Sequence, residues 1–313
     1  MVDNKQQWKA WLYLSPAIIL LLVFTVWPII NTLRMAFLEG YGVQSEFGGA
    51  TFEFGIGNFL KVIQYKGFID CLVNTILLCV LTVPISTLLA LLIAVALNSI
   101  KGLQKLLQTI FFLPYVTNSI AIGMVFAAMF NVIGNIGIEN ELIVSPGIVN
   151  NVLGIFGIEP ISWINNGSEY WANIVVMVVY IVWNALPFKI LVLLGGLQAI
   201  NTQYYDAAKV DGTSRARVFT RITVPLLSPM LAYVIITGFI GGFKEYTSIV
   251  GIFGETMGPP HDSGRLDTMV RFIYEAIGRD QQGRASAAAL ILFVIIFIVT
   301  QLNMKFGKKS VHY

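Results

Sequence analysis

Long apolar runs separated by shorter polar segments dominate the chain. Six of these runs reach the roughly 20 residues that a helix needs to cross about 30 Å of hydrocarbon. They lie near residues 11–33, 72–97, 109–131, 172–197, 230–253 and 285–304. The runs lack the alternation of lipid-facing barrel strands, and a helix satisfies its own backbone hydrogen bonds in lipid. The pattern predicts an all-α integral membrane protein, with six transmembrane helices in a single domain over residues 1–313.

Composition supports a lipid environment for these runs. Of the 313 residues, 56% are hydrophobic and 12% are charged, whereas a soluble domain carries about 25% charged residues. A core in water needs a polar shell, and this chain has too little polar sequence to form one. The formal net charge of +3 comes without a run of like charges, which argues against a nucleic-acid partner.

Basic residues near the ends of the runs indicate the orientation, because Lys and Arg concentrate on the cytoplasmic side of a membrane. With six spans, both termini share one side, and that side holds eleven of the 20 basic residues, against seven on the other. The 40 residues of stretch 132–171 include four glutamates and neither Lys nor Arg. We therefore expect cytoplasmic termini and a cytoplasmic 198–229 loop.

Two further segments bear on the number of spans. The first run follows Lys5 and Lys9 as a signal peptide would, but no small-residue cleavage site follows it, so we expect an uncleaved anchor. The stretch 143–158 is apolar but short, and glycine, proline and asparagine interrupt it. We interpret it as an interfacial or re-entrant segment, because a seventh span would move the basic 198–229 loop outside.

The sequence offers no catalytic or metal-binding constellation. Neither His261 nor His312 has a cysteine or carboxylate at ligand spacing, and Cys71 and Cys79 lie in one apolar run, where packing is expected. No G-x-x-x-x-G-K-[ST] phosphate loop is present either. We therefore expect no catalytic residue, metal or cofactor in this chain, so that any ATP hydrolysis takes place in another subunit.

The loop at about 202–229 carries the most informative pattern. Thr202 can cap a short first helix, Gly212 provides the left-handed residue that ends it, and a second short helix follows. Alanines beside a carboxylate in Asp206–Ala208 fit a docking helix, which another backbone can approach closely. They fit equally well an amphipathic linker bound to lipid head groups. The residues alone leave both interpretations open.

The spacing in this loop resembles the pattern of binding-protein-dependent ABC importer permeases: E-A-A, three residues, G, nine residues, I-x-L-P. The matching residues are Asp206, Ala207, Ala208, Gly212, Ile222 and Pro225. Asp replaces Glu, and Val224 replaces Leu.

The rest of the chain is similar to the carbohydrate branch of that family, the maltose and glycerol-phosphate type of transmembrane subunit. Similar segments occur at 13–37, 57–75, 109–131 and 283–302. The stretch GIFGETMGPP at 251–260 departs from the more common L-T-G-G-G-P. This departure leaves the class of solute open.

The resemblance implies a multi-pass permease subunit of a bacterial or archaeal cell membrane, in an ATP-driven importer for a sugar or oligosaccharide. Such a chain forms half of the pathway with a second permease. It couples through the 203–226 loop to two ATP-binding cassette ATPases, which hold ATP and Mg²⁺, and an extracytoplasmic binding protein delivers the solute. Two alternatives stay open: a permease for another solute such as a polyol phosphate, and an autonomous secondary transporter or channel.

Charged side chains inside apolar runs indicate where a solute could pass, because they usually face a bundle interior or an aqueous cavity. Lys189 fits this role, although its long stem could instead reach the head groups. Lys244 and Glu245 point about 100° apart on a helix, so at least one is expected to face a cavity. The glycines before them permit a bend or a close helix contact. The pathway candidates are Asn184, Lys189, Phe243, Lys244, Glu245 and Tyr246.

Overall fold

The computed structural model describes residues 7–100, 102, 104–136 and 142–310. The terminal residues, Lys101 and part of the acidic loop, on which the predicted orientation partly rests, lie outside these ranges. The described chain divides into two compact units. The first unit contains the residues up to Ile69 together with Met269–Val294, and the second contains Asp70–Thr268 and the residues from Ile295 onward.

Helices account for most of the described residues. They are α1 (Gln7–Leu21), α2 (Trp27–Phe37), α3 (Val43–Phe47), α4 (Gly57–Ile63), α5 (Lys66–Ser99), α6 (Gln104–Val116), α7 (Ser119–Phe130), α8 (Gly147–Ile155), α9 (Tyr170–Ala199), α10 (Gln203–Val210), α11 (Arg215–Val218), α12 (Val224–Gly242), α13 (Thr247–Phe253), α14 (Met269–Gly278) and α15 (Gln282–Ser310). Strands β1 (Ile133–Ile136) and β2 (Leu142–Ser145) form an antiparallel hairpin outside the spans.

Five helical runs are long and apolar enough to cross a membrane, and a sixth results if one bent helix pair is a single span. The five are Trp8–Phe37, Lys66–Ser99, Tyr170–Ala199, Arg215–Gly242 and Gln282–Lys305. The helical membrane architecture predicted from the hydrophobic pattern is thereby confirmed. The stretch 143–158 contains only β2 and the nine residues of α8, about 14 Å of helix, which is too short to span.

The third predicted span, 109–131, is not one straight helix. Its two halves, α6 and α7, meet at an angle of 97°. Pro114 removes a backbone donor near the end of α6. The Asn118 side chain then begins a new helix, because its Oδ1 accepts hydrogen bonds from the backbone N–H of Ile120 at 2.9 Å and of Ala121 at 3.4 Å. Hydropathy missed the break because both halves are apolar.

The fifth span also differs from its predicted bounds, 230–253. The helix already begins at Arg215 and ends at Gly242, so the predicted second helix of the loop is the first turn of this span. A π-helical segment, Phe219–Thr223, lies within it, two residues before Pro225. The first span has the same arrangement, with a π segment two residues before Pro28. The wider turn accommodates a proline that donates no hydrogen bond.

Helices α7 and α13 of the second unit pack through two glycines. A Cβ atom on Gly123 would lie 2.6 Å from the Cα atom of Gly251, and one on Gly251 would lie 3.1 Å from the Cα atom of Gly123. Only glycine on both sides permits this approach. The buried core beside it includes Tyr180, Met177 and Ile249. The glycine contact holds α13, which carries part of the site described next, against α7.

Candidate functional site

The second unit encloses a cavity of about 390 Å³ between its spans. Helices α5, α6, α7, α9, α12 and α13 all contribute to its wall. Its polar lining residues are Thr82, Ser86, Tyr115, Ser119, Asn184, Lys189, Thr237, Glu245 and Ser248. The size falls within the roughly 300–1,000 Å³ typical of small-molecule sites, and hydroxyl, amide and carboxylate groups suit a polar, hydrogen-bonding ligand.

Lys189 is fixed in the wall of this cavity. Its side chain is buried, and Nζ donates to Ser86 Oγ at 2.7 Å, Thr87 Oγ1 at 2.9 Å and the carbonyl of Val83 at 3.2 Å. An ammonium group has three hydrogens, so these three acceptors engage all of them. A Cβ on Gly238 would lie 3.2 Å from Nζ, so the glycine leaves room for the ammonium. Lys189 therefore joins α9 to α5 and does not reach toward the head groups.

Glu245 lies in the break between α12 and α13 and lines the cavity. Its Oε1 accepts hydrogen bonds from the backbone N–H of Tyr246 and of Ser248, both at 3.2 Å, so the carboxylate caps the first turn of α13. Its backbone carbonyl accepts a hydrogen bond from the Thr268 hydroxyl at 3.0 Å. A carboxylate held in this way can still accept hydrogen bonds from ligand hydroxyls.

Two aromatic rings form an apolar part of the wall. Tyr115 and Phe188 both line the cavity and stack with ring centroids 5.9 Å apart and an interplanar angle of 19°. The predicted aromatic contacts lie elsewhere, because the span ends before them: Phe243 is buried, and Tyr246 packs against the hydrophobic core. Lys244 is exposed and does not line the cavity. Of the six predicted pathway residues, Asn184, Lys189 and Glu245 line it.

The loop helix α10 ends as the sequence predicts. Gly212 has a φ of 63°, its N–H donates to the carbonyl of Lys209 at 3.1 Å, and the N–H of Thr213 donates to that of Ala208 at 2.9 Å. These two bonds form a Schellman motif, which favours glycine at this position. The predicted Thr202 side-chain cap is absent from α10. Asn201 Oδ1 instead accepts from the N–H of Gln203 at 3.0 Å, because its position reaches the free donor.

The other loop residues divide between exposed and packed positions. Asp206 and Ala207 are exposed on α10, and Asp206 pairs with Lys209 at 3.0 Å. Ala208 is buried on the opposite side of the helix. Ile222 lies half-buried in the π segment, and Pro225 is the second residue of α12. The exposed face of α10 is thus free to contact another protein, while the buried face attaches the helix to its own chain.

Comparison with known proteins decides the family. The model of the family described as binding-protein-dependent transport system inner membrane component matches residues 86–309. The chain belongs to this family. It is therefore a multi-pass inner-membrane permease of a transport system and not an enzyme.

Curated relatives and a solved structure agree with this assignment. The lactose transport system permease protein LacF of Rhizobium radiobacter is 30% identical over 298 residues, which cover 94% of this chain and 91% of LacF. The arabinooligosaccharides transport system permease protein AraP of Halalkalibacterium halodurans is 30% identical over 305 residues, 96% and 89% of the two chains. A chain of a bacterial ABC transporter that imports the acidic polysaccharide alginate has the same fold, with a TM-score of 0.76, 22% identity and coverage of 99% and 98%.

Sequence reasoning missed the hydroxyl groups that line this permease's cavity. Thr82 and Ser86 are four residues apart on α5, and Tyr115 and Ser119 flank the break between α6 and α7. Four-residue spacing of hydroxyls on one helix face was a usable signal for the first pair. The second pair meets the cavity only because the helix bends between them, and hydropathy gave no sign of that bend.

Proposed function

We propose that this permease is one of two membrane subunits of an ATP-driven importer for a sugar or oligosaccharide. We propose that this chain has six spans and cytoplasmic termini. A second permease, two ATPase subunits and an extracytoplasmic binding protein complete the proposed assembly. The observation that carries the proposal is the cavity of the second unit, which combines a carboxylate, several hydroxyls and two stacked rings. The transport of lactose and arabinooligosaccharides by the relatives supports a sugar as the solute.

The charge of the cavity favours a sugar over a polyol phosphate. Lys189 is the one basic side chain among the described lining residues, and its three hydrogens are already bound within the protein. A phosphate would meet no free cation and would lie near the Glu245 carboxylate. A sugar, in contrast, can donate hydrogen bonds from its hydroxyls to the carboxylate and place its apolar ring face on Tyr115 or Phe188.

Uptake competition tests the class of solute. Cells that express the whole system would receive one radiolabelled oligosaccharide, with unlabelled sugars and glycerol phosphates as competitors. We expect competition from sugars and none from glycerol phosphate. The reverse result would favour the polyol phosphate permease. Solute flux by the purified chain alone in liposomes, driven by an ion gradient, would instead favour an autonomous transporter.

Within the proposed site, we assign Glu245 the main hydrogen bonds to solute hydroxyls, with Asn184 as a second contact. Replacing Glu245 by Gln keeps its shape but exchanges hydrogen bonds to a charged group, which contribute about 1.5–3 kcal/mol, for neutral ones, which contribute about 0.5–1.5 kcal/mol. We expect the apparent affinity for solute to fall about tenfold or more. Lys244→Gln is the matched control, because Lys244 is adjacent, charged and outside the lining. Equal effects of the two variants on uptake would contradict the assignment.

Coupling to the ATPase is proposed to use the exposed face of α10, with Ile222 and Pro225 anchoring the loop. Val210, at the end of α10, is 89% exposed, as expected of a side chain that a partner covers. Replacing Gly212 by Val forces a β-branched residue into the left-handed region, which costs about 1–3 kcal/mol and displaces the end of α10. We expect ATP-dependent uptake to be lost while membrane insertion persists.

Thr213→Val provides the control for this loop, because it places the same side chain one residue further, where φ is not positive. Co-purification through a C-terminal tag reads out assembly directly. A second permease and a Walker-motif ATPase should accompany the wild-type chain and the Thr213 variant. Retention of both partners and of full uptake by Gly212→Val would refute the docking role of the loop.

A further inference from the structure

The first unit contains a separate cavity, of about 530 Å³, at one end of three spans. Tyr41 follows the end of α2, Tyr65 precedes the start of α5, and Gln281 precedes the start of α15. These span ends are joined within the unit: the N–H of Gly283 donates to the carbonyl of Tyr41 at 2.9 Å. The cavity therefore lies at the depth of lipid head groups, where the spans leave the hydrocarbon.

The lining of this cavity is positively charged. Lys61 and Arg284 line it together with amide and phenol side chains, and no carboxylate occurs among the described lining residues. Asn58, which is also in the wall, is buried and attaches α4 to the end of α2, since its side chain donates to the carbonyls of Ala36 at 3.1 Å and Leu38 at 2.7 Å. Such a site attracts an anion.

Arg284 is held in place by its neighbours, but one of its hydrogen-bond donors has no partner among the described residues. Its guanidinium lies 4.7 Å from the ring centroid of Tyr65 and 4.9 Å from that of Phe272. One Nη atom donates to Gln281 Oε1 at 3.2 Å, whereas the buried Nε–H has no hydrogen-bond partner among the described residues. A buried donor without an acceptor is costly. An anionic ligand oxygen would satisfy it, and a guanidinium is well suited to phosphate.

Exposed apolar side chains lie beside the basic cavity. Leu60 and Ile63, on either side of Lys61 on α4, are 48% and 57% exposed, and Ile69 on the first turn of α5 is 63% exposed. A free phosphate or a soluble anion would leave this apolar surface bare. An amphiphile with an anionic head and hydrocarbon chains covers both surfaces at once.

We propose that this cavity binds the phosphate head group of an anionic phospholipid, with its acyl chains against Leu60 and Ile63. Lys61 and Arg284 contact the phosphate, and the Arg284 Nε–H gains its missing acceptor. The inference does not rest on the proposed sugar transport. The orientation proposed above would place the site in the outer leaflet.

Native mass spectrometry of the permease, purified with its accompanying subunits, tests the site. The complex would be incubated with equal amounts of phosphatidylglycerol and phosphatidylcholine of identical acyl chains, and the ratio of bound lipids measured. Each basic residue near a membrane surface contributes about 1 kcal/mol to anionic lipid binding, which is about fivefold in affinity. We expect Lys61→Gln to reduce the preference for phosphatidylglycerol about fivefold.

Lys66→Gln is the matched control, because it removes the same charge five residues along the chain, outside the lining. Arg284→Lys keeps the charge but removes the planar guanidinium with its several donors. It should also weaken the preference for phosphatidylglycerol without unfolding the protein. Equal lipid ratios for Lys61→Gln and Lys66→Gln would overturn the proposal. So would displacement of phosphatidylglycerol by millimolar free glycerol phosphate, which would indicate a soluble anion site. A third result would also overturn it: Lys61→Gln leaves the lipid ratio unchanged but weakens binding of the extracytoplasmic binding protein to the complex. The cavity would then be a docking site for that protein.

Discussion

Replacing Thr87 by Val is the sharpest test of the assignment of Lys189 to the cavity wall. Thr87 Oγ1 accepts a hydrogen bond from Lys189 Nζ at 2.9 Å and donates one to the carbonyl of Val83 at 2.7 Å. Valine is β-branched like threonine and has nearly the same shape, but it offers no acceptor. The substitution therefore leaves a buried ammonium with two acceptors for three hydrogens and creates almost no cavity.

The size of the effect follows from the charge on the donor. Interhelical side-chain hydrogen bonds in membrane proteins average about 0.6 kcal/mol, whereas a hydrogen bond to a charged group contributes about 1.5–3 kcal/mol. Because Lys189 is buried and its remaining acceptors cannot replace the lost one, we expect the larger figure. With about 2.1 cal/mol/K of unfolding entropy per residue, a chain of 313 residues loses about 1.5 °C in its unfolding midpoint for each kcal/mol.

Thermal unfolding of the purified permease in detergent measures this loss. Thr237→Val is the control: Thr237 lines the same cavity, but its hydroxyl donates to the carbonyl of Tyr233 at 2.7 Å and does not contact Lys189. In a Lys189→Met background, Thr87→Val should cost less than about 0.5 kcal/mol, since the charge is gone. Equal losses for the two threonine variants, or the same loss for Thr87→Val in both backgrounds, would refute the reasoning.

Two further predictions concern other parts of the chain. Asp280 accepts hydrogen bonds from the backbone N–H of Gln44 at 3.0 Å and of Ser45 at 3.2 Å, and these bonds lower the pKa of its carboxyl. The stabilising contribution of Asp280 is therefore complete when the pH is above the ordinary pKa of about 3.9, and it is lost as the pH falls through the lowered pKa. In Asp280→Asn, the fall in stability at acidic pH should therefore be less steep. Gly123→Leu should lower stability by about 1–3 kcal/mol in thermal unfolding, because Gly251 blocks its side chain, whereas Gly195→Ala, with open space around it, should have no such cost.

Hydropathy located the spans because a membrane helix must be apolar along its length, and a continuous apolar run can be recognised in the sequence alone. It could not locate the break in the third span. Proline alone is a poor guide, since Pro84 and Pro187 lie inside continuous helices and Pro114 precedes a break. The difference lies in Asn118, whose side chain caps the next helix, and a single asparagine in an apolar run has many other uses.

The roles of the charged residues depended on contacts between distant segments. Lys189 was identified as a candidate from its position alone, but its acceptors lie about a hundred residues earlier on α5. Nothing in the local sequence shows that its hydrogens are engaged. The loop pattern was easier to interpret, because the end of α10 at Gly212 depends on local backbone geometry that a glycine signals directly.

The two helix breaks explain how a polar site forms inside an apolar bundle. Helix α7 begins at Ser119 and α13 begins at Thr247, and Ser119 and Ser248 at these starts both line the cavity. Discontinuous helices bring backbone and capping groups to the middle of a membrane, where a continuous helix presents only side chains. Because the contact of Gly123 with Gly251 packs α7 directly on α13, the two helix starts should move together. A change in the accessibility of the cavity would then come from the helices around this pair, with Glu245, which precedes α13 and caps its first turn, held as a fixed acceptor.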